Sequence, residues 1–214
     1  MVLIVAAAVV VALLIVGALV VLWLRRRVLS ASLPRTRGTV DSPGVSAPVT
    51  VARDRYGVPH VSAETMADAA YAMGMAHGQD RLWQMEFMRR VAMGRVSEFA
   101  GAEGIETDRF IRRLGLFRVA REEARQATGE AATMLEAYSA GVNSQINGGR
   151  KLPLEFRLLQ LQPEPWEPAH SLSVVKLLAL SLGMNWDTEL QRLQLLRTLG
   201  AERAAQLDIF YPDV

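Results

Sequence analysis

The sequence predicts a mainly α-helical domain that opens on a short β-hairpin and is preceded by a transmembrane helix. Three observations carry this expectation. Val2 to Leu24 holds no charged residue and no proline. Pro48 to Ser62 carries two short extended stretches around the turn residues Tyr56-Gly57. From Met66 onward apolar residues recur at three- and four-residue steps, the period of a helix with one buried face. The 214 residues suffice for one domain with a real core.

As a helix, Val2 to Leu24 would be about 34 Å long, enough to cross a hydrocarbon core of roughly 30 Å. Trp23 sits where an aromatic ring favours the headgroup region, and Arg25, Arg26 and Arg27 stop the run. A cleaved signal peptide, with Ser30 and Ser32 before the cut, is the closest rival. The run is longer than a usual signal core, however, and three arginines separate it from that site. The expectation is an uncleaved anchor over 1–27. The positive-inside rule alone would put the arginines, and the domain with them, in the cytoplasm. Residues 28–47, rich in Ser, Pro, Gly and Thr, read as a flexible tether, and 48–214 as the domain.

Within that domain, Pro48 to Ala52 alternates and is β-branched, and Pro59 to Ser62 resumes an extended course. Ser62 or Thr65 can cap the next helix, with Asp68 near its positive end. Its apolar positions are Met66, Ala69, Ala70, Met73, Ala76, Trp83, Phe87 and Val91. Gly74 and Gly78 cost helix stability, which points to close approach of another backbone. Gly94 breaks the helix. Thr107-Asp108 opens a second helix to about Ala127, and Gly129-Glu130 a third to about Asn147. Leu152 to Trp166, with three prolines, reads as an extended connector. Ser171 to about Met184 is an apolar helix, and Asp187 begins another that reaches Leu199.

Composition narrows the chemistry. The chain has no cysteine, which excludes disulfides, thiolate zinc sites and a cysteine nucleophile within these residues. The formal charge is +2, with acidic and basic residues interleaved, so nucleic-acid binding is not indicated. There is no Gly-x-Ser-x-Gly elbow, no HExxH and no phosphate loop. Three scattered histidines make a zinc site improbable. Asp80 falls on the face of Met73, Ala76, Trp83 and Phe87, so it should point inward and be paired. A catalytic acid is one reading. A buried ion pair with Arg53, Arg55, Arg81 or Arg89, locking helix to strand, is better supported. His77 and His60 read as hydrogen-bonded structural residues. Gly183 to Glu189 interrupts two apolar helices with a polar, aromatic turn. It suits either a ligand pocket or a helix break capped by Asp187 with Trp186 as filler.

One ordered set of words goes beyond composition. Arg53-Asp54 leads to Gly57-Val58-Pro59-His60, then to His77-Gly78-Gln79-Asp80-Arg81-Leu82-Trp83-Gln84-Met85. Arg89-Arg90 and Gly94-Arg95-Val96-Ser97-Glu98 follow. Further on come Pro153-Leu154-Glu155-Phe156, Pro163-Glu164-Pro165-Trp166 and Asn185-Trp186-Asp187-Thr188-Glu189-Leu190. Over roughly Pro48 to Leu199 the chain resembles the α-subunit of the penicillin acylase (penicillin amidase) family of N-terminal-nucleophile hydrolases. Position 78 is more often Ala in such proteins, and His170 stands where an acidic residue is common.

The resemblance implies a single precursor that cuts itself into α- and β-subunits. The new N-terminal serine of the β-subunit would be the nucleophile, with its own α-amine as base, so no catalytic residue is expected in this chain. A free α-amine titrates at about 7.7–8.0 and can take the hydroxyl proton. The α-region would wrap around an αββα core completed by the β-subunit. The substrate would be a small N-acyl compound, and the location extracytoplasmic. By position, Met184, Asn185 and Trp186 would line the acyl pocket, and Glu189 would give one carboxylate to a calcium ion shared with the β-subunit. Calcium takes six to eight oxygen ligands, so the rest would come mostly from the other subunit. A second reading, from another class, is a non-catalytic membrane-tethered helical binding module or a truncated gene product. It accounts for the anchor and the helices but leaves the ordered words as coincidence.

Overall fold

A computed structural model describes residues 2–26, 32–34, 36–149, 151–183 and 185–207, with side chains from residue 10 onward. The chain divides into two compact units, Met1–Val174 and Val175–Val214. The first contains helix α1 (Val2–Leu24), strands β1 (Thr50–Arg53) and β2 (Pro59–Ser62), and helices α2 (Met66–Met93) and α3 (Ser97–Ala100). A 3-10 turn (Gly101–Gly104) leads into α4 (Ile105–Leu114), α5 (Leu116–Gln126), α6 (Gly129–Ile146) and α7 (Leu154–Leu158). Helix α8 (Pro168–Leu182) carries the unit boundary, and α9 (Trp186–Leu199) and α10 (Ala201–Ala205) lie in the second unit.

The helical domain with its antiparallel hairpin is as expected, with Val51 opposite Val61 and Arg53 opposite Pro59. The transmembrane part of the expectation is corrected. Among the described residues no helix is long and apolar enough to cross a membrane.

Helix α2 is the spine of the first unit. Thr65 caps it, accepting from the Asp68 amide at 3.0 Å, and Gly94 ends it in the left-handed region at φ 66°. The buried side of α2 matches the predicted one at Ala70 and Ala76 and differs elsewhere. Met66, Met73 and Phe87 are exposed, whereas Ala70, Gly74, Gly78, Leu82, Glu86 and Arg90 form a buried ladder at four-residue steps. Small residues win that face because α6 lies against it at backbone distance. A Cβ on Gly74 would stand 2.1 Å from the Tyr138 carbonyl oxygen, and one on Gly141 2.0 Å from the Tyr71 carbonyl oxygen. Each helix thus gives up a side chain to admit the other's backbone.

The stretch before β1 is held to this spine. Ser46 donates from its amide and its hydroxyl to the Asp68 carboxylate, both at 2.7 Å. Ser42 Oγ lies 2.6 Å from the Tyr71 hydroxyl, and Gly44 sits against the Tyr71 ring, where a Cβ would fall 2.0 Å from a ring carbon.

Two boundaries differ from expectation for identifiable reasons. The predicted helix over 107–127 is two helices, split at Gly115, which adopts φ 73°. Its expected opening residue, Asp108, lies inside α4 and turns back to α3, accepting from the Val96 and Ser97 amides at 2.6 and 2.9 Å and from the Ser97 hydroxyl at 2.5 Å. The connector after Leu152 contains one helical turn, α7, because Phe156 is buried edge-on against Trp83, with ring centroids 5.2 Å apart.

A charge cluster closes the far end of α2. Glu86 pairs with both Arg89 and Arg90, and all three are buried. Arg90 reaches Glu98, and Arg95 bridges Glu98 and Glu164 at 2.5 and 2.7 Å. Arg89 also donates to the Glu164 and Pro165 carbonyls at 3.1 Å and lies over the Trp166 ring. Arg89 Nε is the buried side-chain polar atom without a partner among the described residues. Asn143 of α6 exchanges two hydrogen bonds with the Trp166 backbone, at 2.7 and 2.9 Å. The Arg95 hydrogen bonds hold the Glu164 carboxyl down at about 2. His170 accepts from the Glu167 amide at Nδ1 and stacks on Phe117 at 5.7 Å. Burial, reinforced by the Arg89 charge, pushes its imidazole down to about 4.

Two predictions follow from this packing. Gly74→Ala and Gly141→Ala should each lower the unfolding free energy in urea by about 3 kcal/mol. Gly78→Ala, whose Cβ would meet the Gln145 side chain at 3.1 Å and the Val142 carbonyl oxygen at an ordinary 3.4 Å, should be near neutral, because it also gains about 1 kcal/mol of helix propensity. For His170, the folded value near 4 lies below the ordinary 6.5, so the unfolded chain binds the proton first. Its contribution is whole above pH 6.5 and is lost as pH falls toward 4, at most about 3 kcal/mol. Stability measured across that window should flatten in His170→Gln. The Glu164 contribution has the same sign but fades lower, from 4.5 toward 2, and should survive that substitution.

Candidate functional site

The residues expected to bind substrate and metal lie in the second unit. Met184 falls outside the described residues. Asn185 stands at the start of α9, and its carbonyl accepts the Glu189 amide at 2.9 Å, the first hydrogen bond of that helix. Trp186 opens the helix with its ring 47% exposed. Asp187 accepts from the Thr188 amide at 2.8 Å. Glu189 follows Trp186 by three residues, so the two share one side of the first turn.

The Glu189 carboxylate is exposed, with Arg192 at a loose 3.8 Å. It is an oxygen donor at a helix N-terminus with no tight competing partner, which suits one ligand of a hard cation. No group of three metal-ligating side chains occurs among the described residues. No residue of α9 is buried. Leu178, Leu182, Trp186, Leu190, Leu193 and Leu196 all stand open, Leu182 at 85%.

The first unit contains a separate cleft of about 850 Å³. Its walls are Ser32 to Pro34, the hairpin turn Tyr56 to Pro59, Pro153 to Glu155 at the start of α7, and the α2 residues His77 and Gln79 to Arg81 with Arg53 of β1. Asp80 is paired as the sequence suggested, but the pair is partly open to water and not buried. Arg53 grips its two carboxylate oxygens at 2.7 and 3.0 Å and also donates to the Gly57 carbonyl at 3.0 Å. This clamp fixes the hairpin turn on α2. His77 is likewise hydrogen-bonded but lies at the surface, with Nδ1 2.9 Å from the Tyr138 hydroxyl and the two rings edge to face. Partial burial lowers the His77 pKa, with Asp80 opposing, and desolvation pushes the Tyr138 phenol up to about 12. His60 pairs with Asp54 at 3.5 Å, and Asp54 also accepts the Tyr56 and Val58 amides at 2.8 and 2.9 Å, shaping the turn. Arg81 departs from helical geometry at φ −136°, ψ 22°.

Sequence reasoning missed Glu86, the hub of the buried charge cluster. A signal was present. Stepping by four along the small-residue ladder from Ala70 leads through Leu82 to Glu86 and Arg90, charges that share a face with the core.

The comparisons with known proteins agree on one family. The family model described as Penicillin amidase matches residues 48–213. The penicillin acylase 2 proenzyme of Pseudomonas sp. (strain SE83) is 47% identical over 182 residues, covering 85% of this chain and 23% of that protein. The acyl-homoserine lactone acylase QuiP of Pseudomonas aeruginosa is 35% identical over 192 residues, covering 89% and 23%. The chain thus spans about a quarter of the length of these curated relatives. Among solved structures, a thermostable penicillin G acylase from Alcaligenes faecalis in a tetragonal form superposes with a TM-score of 0.64 at 26% identity, covering 78% of this chain and 96% of the matched one.

Proposed function

Because the chain belongs to the penicillin amidase family, we propose that it is the α-part of an amidohydrolase that cleaves linear amides. The substrate would carry an acyl group on a β-lactam nucleus, a homoserine lactone or a related amine. The observation that carries this reading is the contrast in coverage. The chain matches 23% of a proenzyme but 96% of a solved acylase chain. A relative that is divided into chains would give such a contrast.

The nucleophile is then a serine at the new N-terminus of the β-subunit, outside these residues. Its α-amine takes the hydroxyl proton as the oxygen attacks the amide carbonyl, and returns a proton to the leaving amine. What this chain contributes is placement. Met184, Asn185 and Trp186 line the acyl pocket, where the Trp186 ring supplies apolar area and Asn185 a polar anchor. Glu189 gives one oxygen to calcium, whose charge would hold carboxylates of both subunits together. The exposed leucines of α9, Leu190, Leu193 and Leu196, support a partner for that helix, since a patch of such residues marks an interaction surface. We place the assembled enzyme outside the cytoplasm.

The test is expression of the whole precursor beside residues 1–214 alone. The precursor should mature into two chains and release the amine from an N-acyl substrate, while 1–214 alone should be inactive. Hydrolysis by 1–214 that a point change within it abolishes would overturn the proposal. Glu189→Gln in the precursor should weaken calcium binding by at least about tenfold and slow maturation, while turnover by the fraction that does mature stays near normal. Calorimetry on the processed enzyme reads the first effect. The same change at exposed Glu103 should alter neither.

A further inference from the structure

The motif His77 to Met85 is the longest word in the sequence, yet neither the pocket residues nor the calcium ligand use it. His77 and Arg81, one turn apart on α2, both line the cleft of about 850 Å³ beside the hairpin. They differ from the other charged groups there. Arg53 already spends both guanidinium nitrogens on Asp80, at 2.7 and 3.0 Å, so the Asp80 carboxylate is engaged. Arg81 has no hydrogen bond or ion pair among the described residues. It is also the point at which α2 leaves helical geometry. His77 is oriented, because Tyr138 holds Nδ1 at 2.9 Å and packs edge-on against the ring. That leaves Nε2 without a partner among the described residues.

We infer that the cleft between the hairpin and α2 is a carboxylate-binding site, with the Arg81 guanidinium as its charged donor and the oriented His77 imidazole as its second hydrogen-bonding group. A guanidinium fork matches a planar carboxylate in two parallel hydrogen bonds. The walls select the rest of the ligand. Val58, Pro59 and Leu154 offer apolar surface to a short carbon chain. Glu155 lines the same cleft with a negative charge of its own. It sets a limit on total charge, so a monoanion is accepted and a phosphate or sulfate dianion is repelled. The carboxylate can come from a free acid or from an acidic side chain in the remainder of the precursor. The site itself does not rest on the amidohydrolase reading.

The test is a titration of the full 214-residue chain with sodium acetate and sodium butyrate, followed by NMR at the Arg81 Nε–H and the His77 ring. Sodium chloride and sodium phosphate at matched ionic strength are the controls. Both carboxylates should give saturable shifts at the two residues, and phosphate should not compete. Arg81→Gln, an exposed position at which folding is not at risk, should weaken binding about tenfold. Glu155→Gln should tighten it and admit phosphate. Non-saturating shifts, equal shifts with chloride, phosphate binding as tight as acetate in the unaltered chain, or indifference to Arg81→Gln would each overturn the inference. Repeating the titration on the whole precursor separates the sources. If acetate still binds, the ligand is a free acid. If acetate is excluded while Arg81 already shows the carboxylate-bound shift, a side chain of the precursor fills the site. An Arg81 signal with neither behaviour overturns the inference in the precursor.

Discussion

Everything in the first unit depends on how closely α2 and α6 approach. Two helices carrying ordinary side chains pack with axes 8–10 Å apart. Here the Tyr138 carbonyl occupies the place of a side chain on Gly74, and the Tyr71 carbonyl that of one on Gly141. The exchange is reciprocal, so neither helix can shift along the other without driving a carbonyl into a Cα. Glycine in a helix interior costs about 1 kcal/mol against alanine. That cost buys a fixed register, and the register places Tyr138 where it can hold His77.

The same ladder explains the charge cluster. Once the buried face of α2 runs Gly74, Gly78, Leu82, its next steps are Glu86 and Arg90. Removing charges from water costs several kcal/mol per ion, so buried charges must be paired. Glu86 takes Arg89 and Arg90; Arg90 and Arg95 share Glu98; Arg95 reaches Glu164. The chain of pairs runs from the middle of α2 through its C-cap to the segment before α8. There it meets Trp166, which Asn143 ties to α6. Packing of α2 on α6 and pairing along α2 therefore converge on one connector. Removing one partner would leave an uncompensated buried charge, so the cluster acts as a unit.

How much of this could be read from the sequence varies with the physical cause. The hairpin, the Thr65 cap, the Gly94 stop and the third helix were legible, because each is fixed by local chemistry. Gly74 and Gly78 announced a close backbone but not which one. Periodicity correctly marks Ala70 and Ala76 as buried but also marks Met66, Met73 and Phe87, which stay exposed because at a backbone-distance crossing the small residues go inside. Gly115 as a left-handed break, and Asp108 as a cap for a neighbouring helix, depend on partners distant in sequence. The transmembrane expectation came from one uncharged run and was not upheld among the described residues. For the candidate site, the words around Arg53 and His77 to Arg81 correctly pointed to helix joined to strand. Asn185, Trp186 and Glu189 were placed by resemblance, and only their position at the start of α9 could be checked.

The two units differ in what completes them. The first buries Arg89, Val142 and Phe156 almost fully and pairs the buried Glu86, Arg89 and Arg90 with one another. In the second, α9 buries none of its fourteen residues. An isolated helix of that length is marginal in water, and most helical stability in proteins comes from a covered apolar face. The leucines of α9 are spaced as such a face, so their stabilising partner must be sought beyond α9 itself. On the amidohydrolase reading, Trp186 and Glu189 sit at the end of this same helix. Docking, calcium binding and ordering of the acyl pocket would then be linked equilibria, because anything that binds only the ordered helix stabilises it by mass action. The first unit supplies a scaffold whose register is set in advance, and the second supplies contacts whose order depends on assembly. On the amidohydrolase reading, that division would let a chain whose nucleophile lies on the other subunit still govern when a site becomes competent.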